Sequence, residues 1–227
     1  MQWRRRVEWT PHDPEWRVTM LFIVGSALFA LGSFPPYSQL VDGRVVGITF
    51  VIGSLLFTAA ALDAAVRVID EDRNDGTRTR WWSESRVARL RWAAVIQAAG
   101  TLLFNVNTIA AMVTTFTVEE TNRLVWAPDF LGCIAFLVAS HLYWRDTRSR
   151  RTGNDSHDAE WWSSLLNYVG SVFFMASAIG AFTLRTTGET LNITIVNTGT
   201  FLGAICFLVG SYVLLPAVQP ATPVDGR

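Results

Sequence analysis

Apolar residues along the chain gather into six blocks, at about residues 17–34, 45–66, 93–116, 124–144, 162–183 and 194–215, with polar segments between them. Crossing a hydrocarbon layer takes about 20 helical residues, and these blocks match that length. Backbone in lipid must satisfy its own hydrogen bonds, so each block is expected to be a helix. Pro35-Pro36 closes the first block, since proline cannot continue a helix interior. The connections alternate in length. Links within a pair of blocks are short, whereas 67–92 and 145–161 are longer and charged. The pattern predicts an all-α polytopic membrane protein of six transmembrane helices, built as three tandem two-helix hairpins at 17–66, 93–144 and 162–215. A segment at 1–16 precedes them and a tail at 216–227 follows. Residues 69–80, 146–159 and the tail read as solvated, flexible chain.

Within the blocks a repeat is visible. Each contains a glycine followed four residues later by phenylalanine: Gly25/Phe29, Gly53/Phe57, Gly100/Phe104, Gly132/Phe136, Gly170/Phe174 and Gly203/Phe207. Residues four apart lie on one helix face a turn apart. A glycine lets a neighbouring backbone approach, and a phenylalanine a turn away fills the gap beside another helix's glycine, the small-residue packing that drives association in lipid. All three hairpins enter and leave on one side, so they are expected to be parallel copies about a pseudo-threefold axis along the membrane normal rather than inverted repeats.

Charge orients the bundle. The 19 basic residues are all arginine, and net charge is zero, so the balance gives no reason to expect a nucleic-acid partner. Arg44, Arg123 and Arg185 fall on the side of the short links, and the other arginines on the opposite side. By the positive-inside rule both termini are expected in the cytoplasm. Trp16, Trp81, Trp82, Trp92, Trp144, Trp161 and Trp162 sit near the same boundary, where amphipathic rings prefer to lie. Trp81-Trp82 with Arg86, Arg89 and Arg91 is placed to run along that surface against anionic lipid. Arg4, Arg5 and Arg6 before an apolar stretch also suit a signal peptide, but removing the first block would leave the repeat incomplete.

Two octapeptides sharpen the picture. Phe22-Ile23-Val24-Gly25-Ser26-Ala27-Leu28-Phe29 and Phe50-Val51-Ile52-Gly53-Ser54-Leu55-Leu56-Phe57 both read F-x-x-G-S-x-x-F, one per helix of the first hairpin. This paired signature resembles the YrhK-like membrane domain. The third hairpin keeps Gly170-Ser171 and Gly203-Ala204, and the second departs with Gly100-Thr101 and Gly132-Cys133. The resemblance implies a bacterial multi-pass protein with no assigned activity, and supplies no catalytic residues.

Chemistry is sparse. There is no phosphate-binding loop, dinucleotide fingerprint, zinc-protease signature or nucleophile elbow. His12, His141 and His157 have no partner spacing, and Cys133 and Cys206 lie inside apolar blocks, where buried thiols are common. No catalytic residue, metal or cofactor is expected. Polar groups within a membrane are nonetheless functional candidates by default. Asp63 and His141 lie near the inner surface and read as interfacial. Gln97, Asn105, Asn107 and Asn167 lie deeper; aligned on the glycines, Gln97 matches Phe22 and Asn167, so no symmetric polar ring results. The second hairpin is the most polar, and Asn105, Asn107 and Asp129, with Thr114 and Thr115, are the candidate lining of a pocket open to the outside. The alternative is interhelical hydrogen bonding, plus a carboxylate near a helix start behind Pro128, served by Arg123. Lipid is the one partner the sequence requires; another membrane protein or a second copy is the further candidate. The leading functional reading is a structural or interaction component of the membrane. A small-solute or ion transporter is the alternative, and a membrane enzyme the second.

Overall fold

A computed structural model describes residues 10–74, 83, 85–150 and 159–215, and of 71–74 the backbone alone. Arg4, Arg5, Arg6, Trp81, Trp82, His157 and the tail at 216–227 lie outside the described residues. The elements are α1 (Pro14–Ser33), α2 (Pro35–Leu40), α3 (Gly43–Asn74), α4 (Arg86–Ala110), α5 (Val118–Thr121), a π-turn at Asn122–Trp126, α6 (Ala127–Arg150), α7 (Ala159–Gly180) and α8 (Ile193–Leu214). Among the described residues six helical segments are long and apolar enough to span a membrane, α5 to α6 counting as one.

Local chemistry sets the helix ends. Asp13 caps α1 through Glu15 N at 2.9 Å, with Pro14 in the first turn. Ser85 caps α4 through Ala88 N, and Asn192 caps α8 through Ile195 N. Thr117 and Glu120 form a reciprocal capping box that starts α5. Pro128 would clash with the carbonyl four residues back in a regular helix. The π-turn just before it, closed by Ala127 N donating to Asn122 O, widens the helix at that point and lets the segment run on.

The six long helices form a closed ring in chain order: α1 packs on α3, α3 on α4, α4 on α6, α6 on α7, α7 on α8, and α8 back on α1. In each hairpin the two glycines face each other. A Cβ added to Gly25 would lie 3.1 Å from Gly53 O, one on Gly132 3.2 Å from Gly100 O, and one on Gly203 3.0 Å from Gly170 O. Each glycine also receives its partner helix's phenylalanine. Phe57 lies over Gly25 and Phe29 over Gly53; Phe136 over Gly100 and Phe104 over Gly132; Phe207 over Gly170 and Phe174 over Gly203. The residue after each glycine faces inward too, and Ser26, Ser54, Thr101, Cys133, Ser171 and Ala204 are all buried. Three of the hydroxyls return a proton to a backbone carbonyl of their own helix, Ser54 to Val51 O, Thr101 to Ala98 O and Ser171 to Asn167 O at 2.8 Å.

Three boundaries differ from expectation. The third span ends at Ala110 rather than 116, because Thr117 opens the next helix. The link at 181–192 folds back through a Thr183–Thr190 bridge, with Gly188 at φ +71°, so the fifth span stops at Gly180. The charged links are partly helical. Residues 67–74 continue α3, 86–92 open α4 and 146–150 close α6, against the flexible reading of 69–74 and 146–150, and Arg148, Ser149 and Arg150 stay exposed.

Candidate functional site

The ring centre is filled by phenylalanine. Phe57, Phe136 and Phe207 close a triangle with centroids 6.3, 5.9 and 5.7 Å apart, each nearly buried. Phe29, Phe104 and Phe174 form a second layer, with Phe174 6.2 Å from Phe29 and 6.3 Å from Phe104. Within hairpins the layers touch through Phe29–Phe57 at 5.5 Å, Phe104–Phe136 at 5.0 Å and Phe174–Phe207 at 5.4 Å. The layering follows from the repeat. Odd spans carry phenylalanine four residues beyond the glycine in one direction and even spans in the other, so one triad sits on each side of the glycine level.

A cavity opens on each side of these rings. On the face where α1 begins and α8 ends, the terminal face, a space of 360 Å³ is floored by Phe136 and Phe207. Aligned positions of the three hairpins line it together: Phe22, Gln97 and Asn167 on the odd spans, and Ala61, Ser140 and Ser211 on the even spans. Its rim is charged. Asp146, with a side chain only 3% exposed, accepts from Arg86 Nε at 2.8 Å and from Arg150 Nε at 3.0 Å, and Arg150 reaches Glu160 at 2.8 Å. Elsewhere on this face Arg17 pairs with Asp63 at 2.7 Å. His141 is exposed beside Trp144 and Tyr168, with Arg148 over the Trp144 ring, an arrangement suited to an interface.

On the loop face a second cavity, 240 Å³, lies between the phenyl rings and the ends of α4 and α7. Phe29, Phe50, Phe104 and Phe174 give it apolar walls, and Asn107, Thr108, Asp129, Ser177 and Thr200 give it polar ones. Phe50, Asp129 and Thr200 each stand three residues before the glycine of an even span. Trp126 braces the wall by donating to Ala178 O at 2.9 Å, and Asn122 exchanges two hydrogen bonds with the Thr183 backbone.

The structure separates the three sequence candidates. Asn107 and Asp129 both line the loop-face cavity, and Asn107 Nδ2 donates to Val125 O at 3.2 Å. Asn105 lies between α3 and α4, where its amide donates to Thr58 Oγ1 at 2.9 Å, and it lines neither cavity. Thr114 and Thr115 are exposed in the link after α4. No hydrogen bond or ion pair reaches the Asp129 carboxylate among the described residues, Arg123 included. Helix begins well before Asp129, at Val118, and leads into it through the π-turn.

No family model, curated protein or solved structure matches this chain. Among the described residues no three His, Cys, Asp or Glu side chains gather as a metal site would require. Asp146 and Arg86 are the residues that sequence reasoning missed. The i,i+4 spacing of Asp146 and Arg150 was a readable sign that α6 continues, whereas the contact from Arg86, 60 residues away, carried none.

Proposed function

We propose that the ring is a membrane pathway for small solutes that cross it uncharged. One observation carries the reading: two cavities meet the same phenylalanine core from opposite faces of a closed helix ring. Both are walled by aromatic rings and hydrogen-bonding side chains that can replace part of a solute's hydration, with charged groups at the terminal-face rim and Asp129 in the loop-face cavity. The rings between them expel water, and a charge moved into such a medium loses far more solvation than a small neutral molecule does. Passage needs the rings to part, so the pathway is gated and narrow.

The rest of the arrangement follows from the same reading. The hairpins are three parallel copies about a pseudo-threefold axis, which the reciprocal glycine–phenylalanine contacts support. The arginine-rich terminal face lies in the cytoplasm and the loop face outside, in the inner membrane of a bacterium. Kinship with the YrhK-like membrane domain rests on residues 22–29 and 50–57. Sequence favours a structural or interaction role; the two cavities, one on either side of the core, support the pathway against it.

Solute entry into proteoliposomes, followed by light scattering, tests the pathway. Acetamide and glycerol should enter several-fold faster than into empty vesicles, with sodium and chloride unchanged. Equal entry with and without protein would leave the structural role in its place.

A further inference from the structure

The loop-face cavity contains a charge with no counterpart. Asp129 lines it without a hydrogen-bond or ion-pair partner among the described residues, while the terminal-face carboxylate Asp146 has two arginines. An isolated carboxylate against phenyl rings is costly unless something supplies the missing positive charge.

The neighbouring polar groups narrow what that something is. Ser177 donates its hydroxyl proton to Val196 O at 2.9 Å, which directs the Thr200 proton to Ser177 Oγ, 2.7 Å away. Thr200 Oγ1 is left as an acceptor. Asn107 spends an amide N–H on Val125 O and keeps its Oδ1. Carboxylate, amide oxygen and hydroxyl oxygen thus offer lone pairs to one cavity, from α6, α4 and α8, and Phe104 and Phe174 line the same space. Lone pairs call for N–H donors, and ring faces favour a cation.

We propose that this cavity binds a small primary amine in its ammonium form, the charge on Asp129 and the remaining N–H groups on Asn107 Oδ1 and Thr200 Oγ1. This rests on the pathway reading for its consequence and deepens it, because an amine's free base is uncharged. An ammonium that gives its proton to the Asp129 carboxylate becomes the neutral amine that passes the rings, and the protonated carboxyl returns the proton to water on the loop face.

Saturation-transfer NMR on the full chain in lipid nanodiscs at neutral pH tests the site, with methylammonium, acetamide and acetate as small cationic, neutral and anionic probes, each carrying one methyl group. Methylammonium should give a signal several-fold above acetamide and acetate, lost in Asp129→Asn and weakened in Thr200→Val. Equal signals from methylammonium and acetamide on the unaltered protein would overturn the proposal, and so would an undiminished signal in Asp129→Asn. The first comparison needs no variant, so a poorly folding substitution leaves the test intact. Binding is read at equilibrium and separates the two claims. Preferred methylammonium binding without solute entry removes the pathway alone, and solute entry without that preference removes the amine site alone.

Discussion

Two carboxylates stand in cavities on opposite faces of one phenylalanine core, and their surroundings differ. Asp146 is sunk between Arg86 and Arg150, so its charge is neutralised by residues of α4 and α6 that it also ties together. Asp129 faces a cavity with acceptors for neighbours and no cation among the described residues. A charge that the fold answers from within serves the fold. A charge left open toward a cavity is available to a ligand. Polarity alone does not separate the two, since both residues lie in α6 and both are aspartates.

Breaking the paired side should have the largest effect. Asp146→Ala leaves two arginines facing each other at the rim, and removing one partner of a buried pair costs about 3–5 kcal/mol. Both arginines are about half exposed, which puts the expected loss toward the lower end of that range. Thermal unfolding in detergent should show the drop, and a variant as stable as the parent would mean that the rim is not structural.

A probe between the two cavities should have an intermediate effect. A methyl on Gly100 would lie 2.9 Å from the Phe136 ring and 3.0 Å from Ala135 Cβ, too close without displacement. Gly100→Ala should cost about 1–3 kcal/mol, as overpacking does, and shift the ring that both layers lean on. An unchanged unfolding temperature would show that α4 and α6 approach less closely than the contacts here require.

The smallest effect belongs to the open side. Asp129→Asn removes a charge that no side chain among the described residues answers, so stability should change by less than about 1 kcal/mol, or rise as the desolvation cost disappears. A loss comparable to that of Asp146→Ala would erase the contrast and make Asp129 a structural residue.

Much of the architecture was legible in the chain, and the reasons are physical. Six apolar blocks announce six spans because lipid leaves the backbone no other partner. Gly25/Phe29 and its counterparts announce packing because only glycine lets a ring sit over a neighbouring backbone. Span ends were harder to read. Phe116 looked like the end of an apolar run, whereas the capping box of Thr117 and Glu120, readable as a helix start, overrides it. Asp129 looked like a carboxylate at a helix start behind Pro128, until the π-turn carried the helix past the proline. The site was half legible. Asn107 and Asp129 share a cavity, but Asn105, two residues from Asn107, points to another helix because 200° of helical rotation separates them. Asp146 was hidden in a charged link since burial there depends on Arg86, a contact that tertiary structure alone provides.

The central claim is that two separate cavities open to opposite faces with the phenylalanine core as the barrier. Single cysteines decide it most directly, placed at Thr200 for the loop-face cavity and Gln97 for the terminal-face cavity, in a background with Cys133 and Cys206 replaced by alanine. A small impermeant methanethiosulfonate is then applied to vesicles of each orientation. The account predicts that Thr200→Cys reacts only from the loop face and Gln97→Cys only from the terminal face. Labelling of both from one face, or of neither from any, would contradict it.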